Sequence, residues 1–288
     1  MLAWGLAWIN AKVLSNYLDS FSLIFWRFLI AAISLVFVAK FLKHSLKIDF
    51  KTFFVAFIAA ILMLFYNYFF FRGTSLGDAG FGGVLVTTLN PILTFFAVAL
   101  LQRKNLGKKE YFALFLGALG SFIMLEIWQY GFGVFTQNAI KYFLLAATTW
   151  VFITLVSTLN KKATAVVFSF YMYLLVVFID YLFFLDRKLT PIYNFDWVFW
   201  LNLFAISLFA VTFATTVYFL ATVQKGSKYA SAFIFLVPFS AAIFATIFLG
   251  EKLKNTTIIG GLIVVVAIYI LQDYKWHNIL FKRRKSGI

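Results

Sequence analysis

The side chains of this sequence with the strongest chemistry are a few ionisable groups embedded in long apolar stretches. They are Lys12, Arg27, Glu126 and Asp180. A charged group at the centre of a membrane-spanning helix costs about 2.5–3.5 kcal/mol, so such residues mark ion paths, substrate contacts or buried ion pairs. We expect all four toward the outer ends of their helices, where they could form a charged mouth. The alternative interpretation is that their charged tips snorkel to the interface, or that Lys12 or Arg27 pairs with a carboxylate.

Two prolines mark a second kind of candidate position, because each interrupts an apolar stretch near its middle. Asn90 precedes Pro91 in one stretch, and Pro238 takes the corresponding place in another. Proline removes a backbone donor and frees a carbonyl one turn earlier. Broken helices of this kind bind substrate or act as hinges in transport proteins. The alternative is a tolerated kink whose free carbonyl is satisfied by a nearby hydroxyl, such as that of Thr87.

Hydroxyl, amide and indole groups at intermediate depth form a third set. Thr212 and Thr215 are three residues apart, a spacing that places both on one face of an α-helix. If these groups face a cavity, they offer hydrogen bonds without fixed charge, and indoles stack on planar solutes. If they face neighbouring helices, they hold the helices together. The candidate substrate-binding residues are Trp4, Trp8, Lys12, Arg27, Asn67, Asn90, Trp150, Thr212, Thr215 and Tyr218, with Pro91 and Pro238 as hinges.

Several chemistries are excluded by what the sequence lacks. Cysteine is absent, so disulfides, thiolate metal sites and cysteine nucleophiles are excluded. The two histidines, His44 and His277, are far apart in sequence, and no phosphate-binding glycine motif follows a strand. We therefore predict no metal, no cofactor and no enzymatic activity, since no acid/base or nucleophile set converges at one depth.

The elements that must position these groups are membrane-spanning helices. Hydrophobic residues make up 64% of the 288 residues and charged residues only 12%. Apolar blocks of about 20 residues have the length that a helix needs to cross the bilayer, and they lack the alternation of barrel strands. The predicted spans are residues 1–15, 21–42, 52–71, 79–101, 110–127, 137–159, 163–185, 197–222, 229–249 and 256–273. The first is short, and nine spans follow if it does not insert.

The distribution of Lys and Arg over the loops predicts the orientation. Seventeen lie in the loops and tail on one side of the membrane and six on the other. By the positive-inside rule, both termini are cytoplasmic and the number of spans is even. The net charge of +15 then faces anionic lipid, which makes membrane lipids the expected partner and excludes nucleic acid.

A weak internal repeat divides the chain. Pro91 is followed by Leu106, and Pro238 by Leu253, at the same spacing of fifteen residues. Five spans in each half would make the second half enter the membrane from the opposite face, a recurrent plan of secondary transporters. The predicted domains are a first five-helix repeat over 1–132, a second over 133–274 and a basic cytoplasmic tail over 275–288.

Several short motifs follow one another in a distinctive order. They are Trp4-Gly5 with Lys12, Trp26-Arg27-Phe28 with Ala31-Ala32, Asp78-Ala79-Gly80 through Asn90-Pro91, Ala230-Ser231 with Pro238, and Gly250-Glu251-Lys252-Leu253 before Gly260. No single motif is specific, but their order over nearly the whole chain resembles the EamA family of the drug/metabolite transporter superfamily. Arg103-Lys104 stands where that family often has Gly-Glu, so no role of that glutamate carries over.

The resemblance implies an all-α integral membrane fold of about ten helices in two inverted five-helix repeats. Helices one to four and six to nine would enclose a central cavity, with the fifth and tenth outside. Lys12 and Arg27 would then lie near the outer mouth of that cavity. Glu126 would lie on an outer helix in a structural role.

We therefore predict a secondary transporter that moves a small organic metabolite, amino-acid-like or aromatic, by alternating access. The expected location is the bacterial cytoplasmic (inner) membrane, with the protein a monomer or homodimer. Net export is implied by the resemblance, and the neutral groups at mid-depth predict movement down a solute gradient. The alternatives are a flippase for lipids or polyprenyl-linked sugars and, in a different class, a membrane-embedded enzyme.

Overall fold

A computed structural model describes residues 1–102, 107–124, 126–130, 138–185, 191–251 and 255–271. Apolar blocks with few Gly or Pro residues form helices there, because a helix satisfies all its backbone groups internally. The helices of the first half are α1 (Leu2–Leu14), α2 (Ser20–Phe41), α3 (Phe50–Leu76), α4 (Ala79–Gln102) and α5 (Lys108–Met124). A single helical turn, Ile127–Tyr130, follows α5.

The second half continues in the same way. It contains α6 (Asn138–Ser157), α7 (Ala165–Phe183), α8 (Trp197–Lys225), α9 and α10 (Asn255–Leu271), with a short 3-10 turn at Ile192–Asn194 before α8. The helical run α9 joins an α-helical segment (Ser227–Ala232), a 3-10 turn (Phe233–Leu236) and an α-helix (Val237–Leu249).

Polar residues fix where several helices begin. Asp19, Asp49, Thr164 and Asp196 each accept hydrogen bonds from backbone N–H groups of the first turn, as N-cap residues do. Asp19 Oδ1, for example, accepts from the N–H groups of Phe21 and of the next residue at 2.9 and 3.1 Å. These caps explain why the observed starts lie within a few residues of those predicted from hydrophobicity.

The lengths of these helices fit a multi-pass membrane protein. In the described part of the chain, six are long and apolar enough to cross a bilayer: Ser20–Phe41, Phe50–Leu76, Ala79–Val98, Asn138–Ser157, Ala165–Phe183 and Trp197–Lys225. Three shorter apolar helices are Leu2–Leu14, Val237–Leu249 and Ile258–Ala267. The described fold is thus all-helical, whereas ten complete spans stay a prediction.

The helices form a central group and an outer pair. Helices α5 and α10 pack against each other, and a Cβ on Gly120 would lie 2.6 Å from the Gly260 carbonyl oxygen. Helices α1–α4 and α6–α9 pack among themselves and contain the buried core. In this respect the arrangement agrees with the plan implied by the resemblance.

The glycines around the α3–α4 turn allow close helix packing. The ring of Phe143 on α6 lies against Gly73 and Gly82, where an added Cβ would approach ring atoms to about 2.5–2.6 Å. Small residues let membrane helices approach each other closely. These glycines therefore allow α3 and α4 to pack closely against α6.

The middle of α8 is a π-helix over Ala205–Thr215. Its bonds run from residue i to i+5, so Thr212 Oγ1 donates to the Ser207 carbonyl at 3.1 Å and Thr215 Oγ1 to the Ala210 carbonyl at 2.8 Å. The prediction that Thr212 and Thr215 share one face was wrong, because it assumed α-helical spacing. Thr212 contacts Ser34 Oγ on α2 at 2.7 Å instead.

The two prolines have different local structures. Pro91 lies inside α4, which continues through it, and the Thr87 hydroxyl donates to the Gly83 carbonyl. Pro238 lies in the first turn of the helix that follows the 3-10 turn, where its missing N–H needs no partner. The helical run α9 is thus interrupted before Pro238, whereas α4 is not interrupted at Pro91.

Candidate functional site

A small cavity of about 40 Å³ lies at the centre of the helix bundle. Each of helices α1–α4 and α6–α9 contributes at least one residue to its wall, whereas α5 and α10 contribute none of the described lining. The lining residues are Trp4, Ala7, Trp8, Arg27, Phe28, Met63, Tyr66, Asn67, Phe70, Thr87, Asn90, Trp150, Tyr173, Val211, Thr215 and Ile234. Aromatic side chains are the largest group in this wall, beside one cation and several neutral polar groups.

The structure brings together seven of the ten candidate substrate-binding residues at this cavity. They are Trp4, Trp8, Arg27, Asn67, Asn90, Trp150 and Thr215. The other three, Lys12, Thr212 and Tyr218, do not line it. Each of these three side chains instead makes hydrogen bonds away from the cavity, and hydrophobicity and residue spacing do not predict these bonds.

Arg27 is the single charged residue among the lining residues. It is 93% buried, and its Nη1 donates to Asn67 Oδ1 at 2.7 Å. The Asn67 amide is held in this orientation because its Nδ2 donates to the Met63 carbonyl at 2.8 Å. The guanidinium carbon lies 5.5 Å from the ring centroids of Phe70 and Phe71, within the range of cation–π attraction. The Arg27 side chain thus reaches the central cavity, and its position near the outer mouth stays a prediction.

Aromatic rings form one wall of the cavity. The Trp4 ring lies 5.2 Å from that of Trp150 and 5.1 Å from that of Tyr218, and Tyr66 lies 4.8 Å from Trp150. The Tyr218 hydroxyl is turned away toward Thr154 Oγ1, at 2.8 Å. Tyr218 therefore packs against the rings of Trp4 and Trp150 and does not line the central cavity.

Trp4 is fixed by the π-helix of α8. Its Nε1 lies within donating distance of both the Ala210 carbonyl, at 3.1 Å, and Thr215 Oγ1, at 3.2 Å. Both acceptors belong to the segment whose i to i+5 bonding sets their positions. This contact joins α1 of the first half to α8 of the second half across the cavity.

Asn90 directly precedes Pro91 in α4. Its side chain is buried, lines the cavity and leaves Oδ1 without a hydrogen-bond partner among the described residues. Arg27 Nε is also unpartnered within this part of the chain. Trp150 Nε1, on another lining residue, is a second such donor. Buried polar groups are normally hydrogen-bonded, so these atoms without partners among the described residues make the cavity the candidate binding site.

Lys12 acts at a helix end and not at the cavity. Its Nζ donates to the carbonyls of Thr74 and Gly77 at 3.1 and 2.8 Å, at the C-terminal end of α3. A lysine near the last carbonyls of a helix interacts favourably with the helix dipole. The placement of Lys12 at a substrate-binding mouth is therefore not supported by its contacts.

Glu251 makes the complementary contact at the start of α4. Its Oε2 accepts from the Gly80 N–H at 3.2 Å. Partial burial, with the nearby Asp78 charge, raises the pKa of this carboxyl above its usual range. Glu251 is thus in contact with the N-terminal end of α4.

The two remaining intramembrane carboxylates lie outside the cavity wall. Glu126 Oε1 accepts from Thr256 Oγ1 at 2.8 Å, which ties it to the outer helix α10 and agrees with a structural role. Asp180, near the end of α7, is fully buried, and neither of its oxygens has a hydrogen-bond partner in the described ranges. The described residues also contain no group of three or more His, Cys, Asp or Glu side chains arranged for a metal ion.

Part of the cavity wall was not predicted from the sequence. Phe70, Val211 and Ile234 look like ordinary apolar residues in the sequence, and only their packing identifies them. Tyr173 carried a usable signal, because a tyrosine inside an apolar span needs a partner for its hydroxyl. That hydroxyl donates to the Val211 carbonyl in the π-helix at 3.2 Å.

A second space lies beside the first and has a different character. It is an apolar groove of about 620 Å³ between α1, α8 and α9. Its walls include Leu2, Phe209, Phe213 and Phe244, and Trp4 lines both the groove and the central cavity. Trp4 is therefore a wall residue of both the apolar groove and the central cavity.

Apolar helices around a buried polar cavity define a class: a multi-pass membrane protein with the features of a transport protein. Comparison with known proteins identifies the family. The chain matches the EamA-like transporter family over residues 1–126 and again over 137–272, and it belongs to this family. A comparison with curated proteins finds no match.

A solved structure shares the fold. A solved structure titled "Crystal structure of protein" superposes on this chain with a TM-score of 0.70 and 18% sequence identity. The alignment covers 99% of this chain and 96% of the other chain. At this identity the likeness concerns the fold alone.

Proposed function

We propose that this protein is a secondary transporter that moves a small organic metabolite across the cytoplasmic membrane by alternating access. The observation that carries the proposal is the central cavity, where both halves of the chain surround buried polar atoms that have no hydrogen-bond partner among the described residues. A site shared by two halves can open to either side of the membrane when the halves tilt against each other.

The packing of the helices supports an inverted repeat. In such a repeat, α1 corresponds to α6, α2 to α7, and so on to α5 and α10. If each helix is exchanged for its counterpart, the α3–α6 contact becomes α8–α1. The α4–α6 contact becomes α9–α1 in the same way. The α2–α7, α4–α9 and α5–α10 contacts convert into themselves. All these contacts occur in the structure. This symmetry, with the two matches to one family, supports repeats over 1–132 and 133–274 and ten spans.

The size of the cavity implies a conformational change during transport. Its volume of about 40 Å³ has room for a few water molecules, whereas pockets for organic ligands measure about 300–1,000 Å³. Entry of a metabolite therefore requires the helices to separate. Pro91 and the interrupted run before Pro238 are the proposed hinges.

The experiment measures efflux of candidate solutes from liposomes that contain the purified protein. We expect efflux down a solute gradient without ATP, and loss of efflux in Asn90→Leu at normal expression. Asn202→Leu is the matched control, because the bond that the Asn202 side chain makes among the described residues stays within its own helix, to the Val198 carbonyl at 2.8 Å. Normal efflux by Asn90→Leu would contradict this site.

Orientation is tested by single cysteines, since the chain has none. A cysteine at exposed Ser45 should resist an impermeant thiol reagent in intact cells, and one at exposed Asp78 should react. Thr74, in the same outer segment, is unsuitable because its side chain is fully buried. Labelling at Ser45 with protection at Asp78 would reverse the proposed topology, in which both termini are cytoplasmic.

A second candidate function is the flipping of a lipid or polyprenyl-linked sugar. The apolar groove favours it, because a headgroup could pass from the groove into the cavity when Trp4 moves. Fluorescent phosphatidylglycerol in liposomes, with dithionite to bleach the outer leaflet, tests it. Protein-dependent bleaching beyond half of the signal would favour the flippase, and bleaching of only half would favour the metabolite transporter.

A further inference from the structure

Arg27 has no acidic partner within the described part of the chain. No described carboxylate oxygen lies within 4.0 Å of its guanidinium nitrogens. The Lys162–Asp49 ion pair lies elsewhere, between loop residues. Asn67 and the faces of Phe70 and Phe71 are neutral groups and leave its positive charge uncompensated. A buried charge without a counter-charge is costly, so it requires a functional reason.

The cavity provides space next to this charge. Arg27 lines the cavity, and its Nε is a buried donor without a described partner. A guanidinium presents its N–H groups in a planar fork that matches the two oxygens of a carboxylate. The free donor and the free charge therefore point to an anionic group as the missing partner.

The remaining wall limits what this anion can be. Arg27 is the one cation among the lining residues, so a group with two negative charges would leave one charge uncompensated in a site of low dielectric constant. Trp4, Tyr66 and Trp150 supply flat aromatic surface around the same space. A monoanion with an apolar or aromatic body matches both features.

We propose that Arg27 binds the carboxylate of the transported solute, and that this solute is a monoanion with an apolar or aromatic body. The inference rests on the proposed transport function and gives the substrate class of the same cavity. Arg27 then belongs to the binding site, and Asn67 is a positioning residue that holds the guanidinium toward the cavity.

The probes are 3-phenylpropionate and its neutral analogue 3-phenylpropanamide, which share the aromatic body and differ in charge. Equilibrium dialysis of radiolabelled 3-phenylpropionate against the full-length protein in detergent, with the amide as competitor, gives both affinities. We expect the anion to bind at least tenfold more tightly than the amide. Arg27→Gln should remove this preference, and the control Arg72→Gln, at an exposed position on α3, should keep it.

A second variant keeps the test decisive if Arg27→Gln does not fold. Asn67→Asp places a carboxylate beside Arg27, so it should melt at or above the wild-type temperature while anion binding falls at least tenfold. Undiminished anion binding in this variant would overturn the proposal, as would equal wild-type affinities or no wild-type binding of 3-phenylpropionate. Because dialysis measures binding alone, a protein that transports only neutral solutes would keep its proposed function and refute this inference.

Discussion

Replacement of Asn67 by Leu tests how the cavity holds Arg27. The Asn67 side chain makes two hydrogen bonds, one from Arg27 Nη1 at 2.7 Å and one to the Met63 carbonyl at 2.8 Å. Leucine removes both and leaves the guanidinium with aromatic faces as its described neighbours. The larger loss is the charge-assisted bond to Arg27. The Met63 carbonyl loses only an additional donor, because it remains part of the helix α3.

The magnitude follows from the type of bond. A hydrogen bond to a charged group contributes about 1.5–3 kcal/mol, whereas neutral side-chain bonds between membrane helices average about 0.6 kcal/mol. Asn67→Leu should therefore lower the free energy of unfolding by about 1.5–3 kcal/mol. Asn202→Leu loses only a neutral bond within its own helix, from Nδ2 to the Val198 carbonyl at 2.8 Å. It should lower the free energy by less than about 1 kcal/mol.

The assay is equilibrium unfolding in mixed micelles with increasing SDS, followed by circular dichroism for both variants and the wild type. The difference between the two variants isolates the contact with Arg27, since both replace a half-buried or buried asparagine by leucine. Equal effects of the two replacements would refute the reasoning, because they would show that Arg27 gains nothing from Asn67.

The remaining predictions concern packing, pH and coupling. Gly82→Ala should destabilise the protein by about 1–3 kcal/mol through overpacking against Phe143, and Phe143→Leu in the same chain should restore part of the loss, as measured by SDS unfolding. Lys162, at 2.8 Å, lowers the pKa of Asp49, so this carboxylate stabilises the fold above the unfolded pKa of about 3.9. The stabilisation should be lost as the pH falls through the lower folded-state pKa, and a melting series in Asp49→Asn should lack that acid-dependent step. Asp180→Asn should leave gradient-driven efflux unchanged, whereas loss of pH-driven uphill uptake in this variant would show proton coupling at Asp180.

The helices were predictable because their physical cause is local. An apolar run as long as the bilayer is thick folds as a helix wherever it occurs, and Asp19 or Asp49 marks its start. The predicted span 21–42 and the observed helix Ser20–Phe41 differ by one residue at each end. The family resemblance, which rested on the order of short motifs, is confirmed by the match over both halves.

The direction of each long side chain was not predictable from the sequence. Lys12 and Arg27 looked equivalent, since both are cations in helices expected around the cavity. In the structure Lys12 extends to the carbonyls at the end of α3, and Arg27 turns inward to Asn67. Thr212 was misplaced for another reason, because nothing in its spacing signals a π-helix.

Transport by alternating access requires the cavity to open in turn to the two sides of the membrane. A single cysteine at Thr87, which lines the cavity, tests it in the naturally cysteine-free chain. The measurement is the reaction of Thr87→Cys with a charged, impermeant methanethiosulfonate reagent in right-side-out and in inside-out vesicles, with Ser169→Cys as a buried control that does not line the cavity. We expect Thr87→Cys to react from both sides and Ser169→Cys from neither. Reaction of Thr87→Cys from one side only, or from neither side, would contradict alternating access through this cavity.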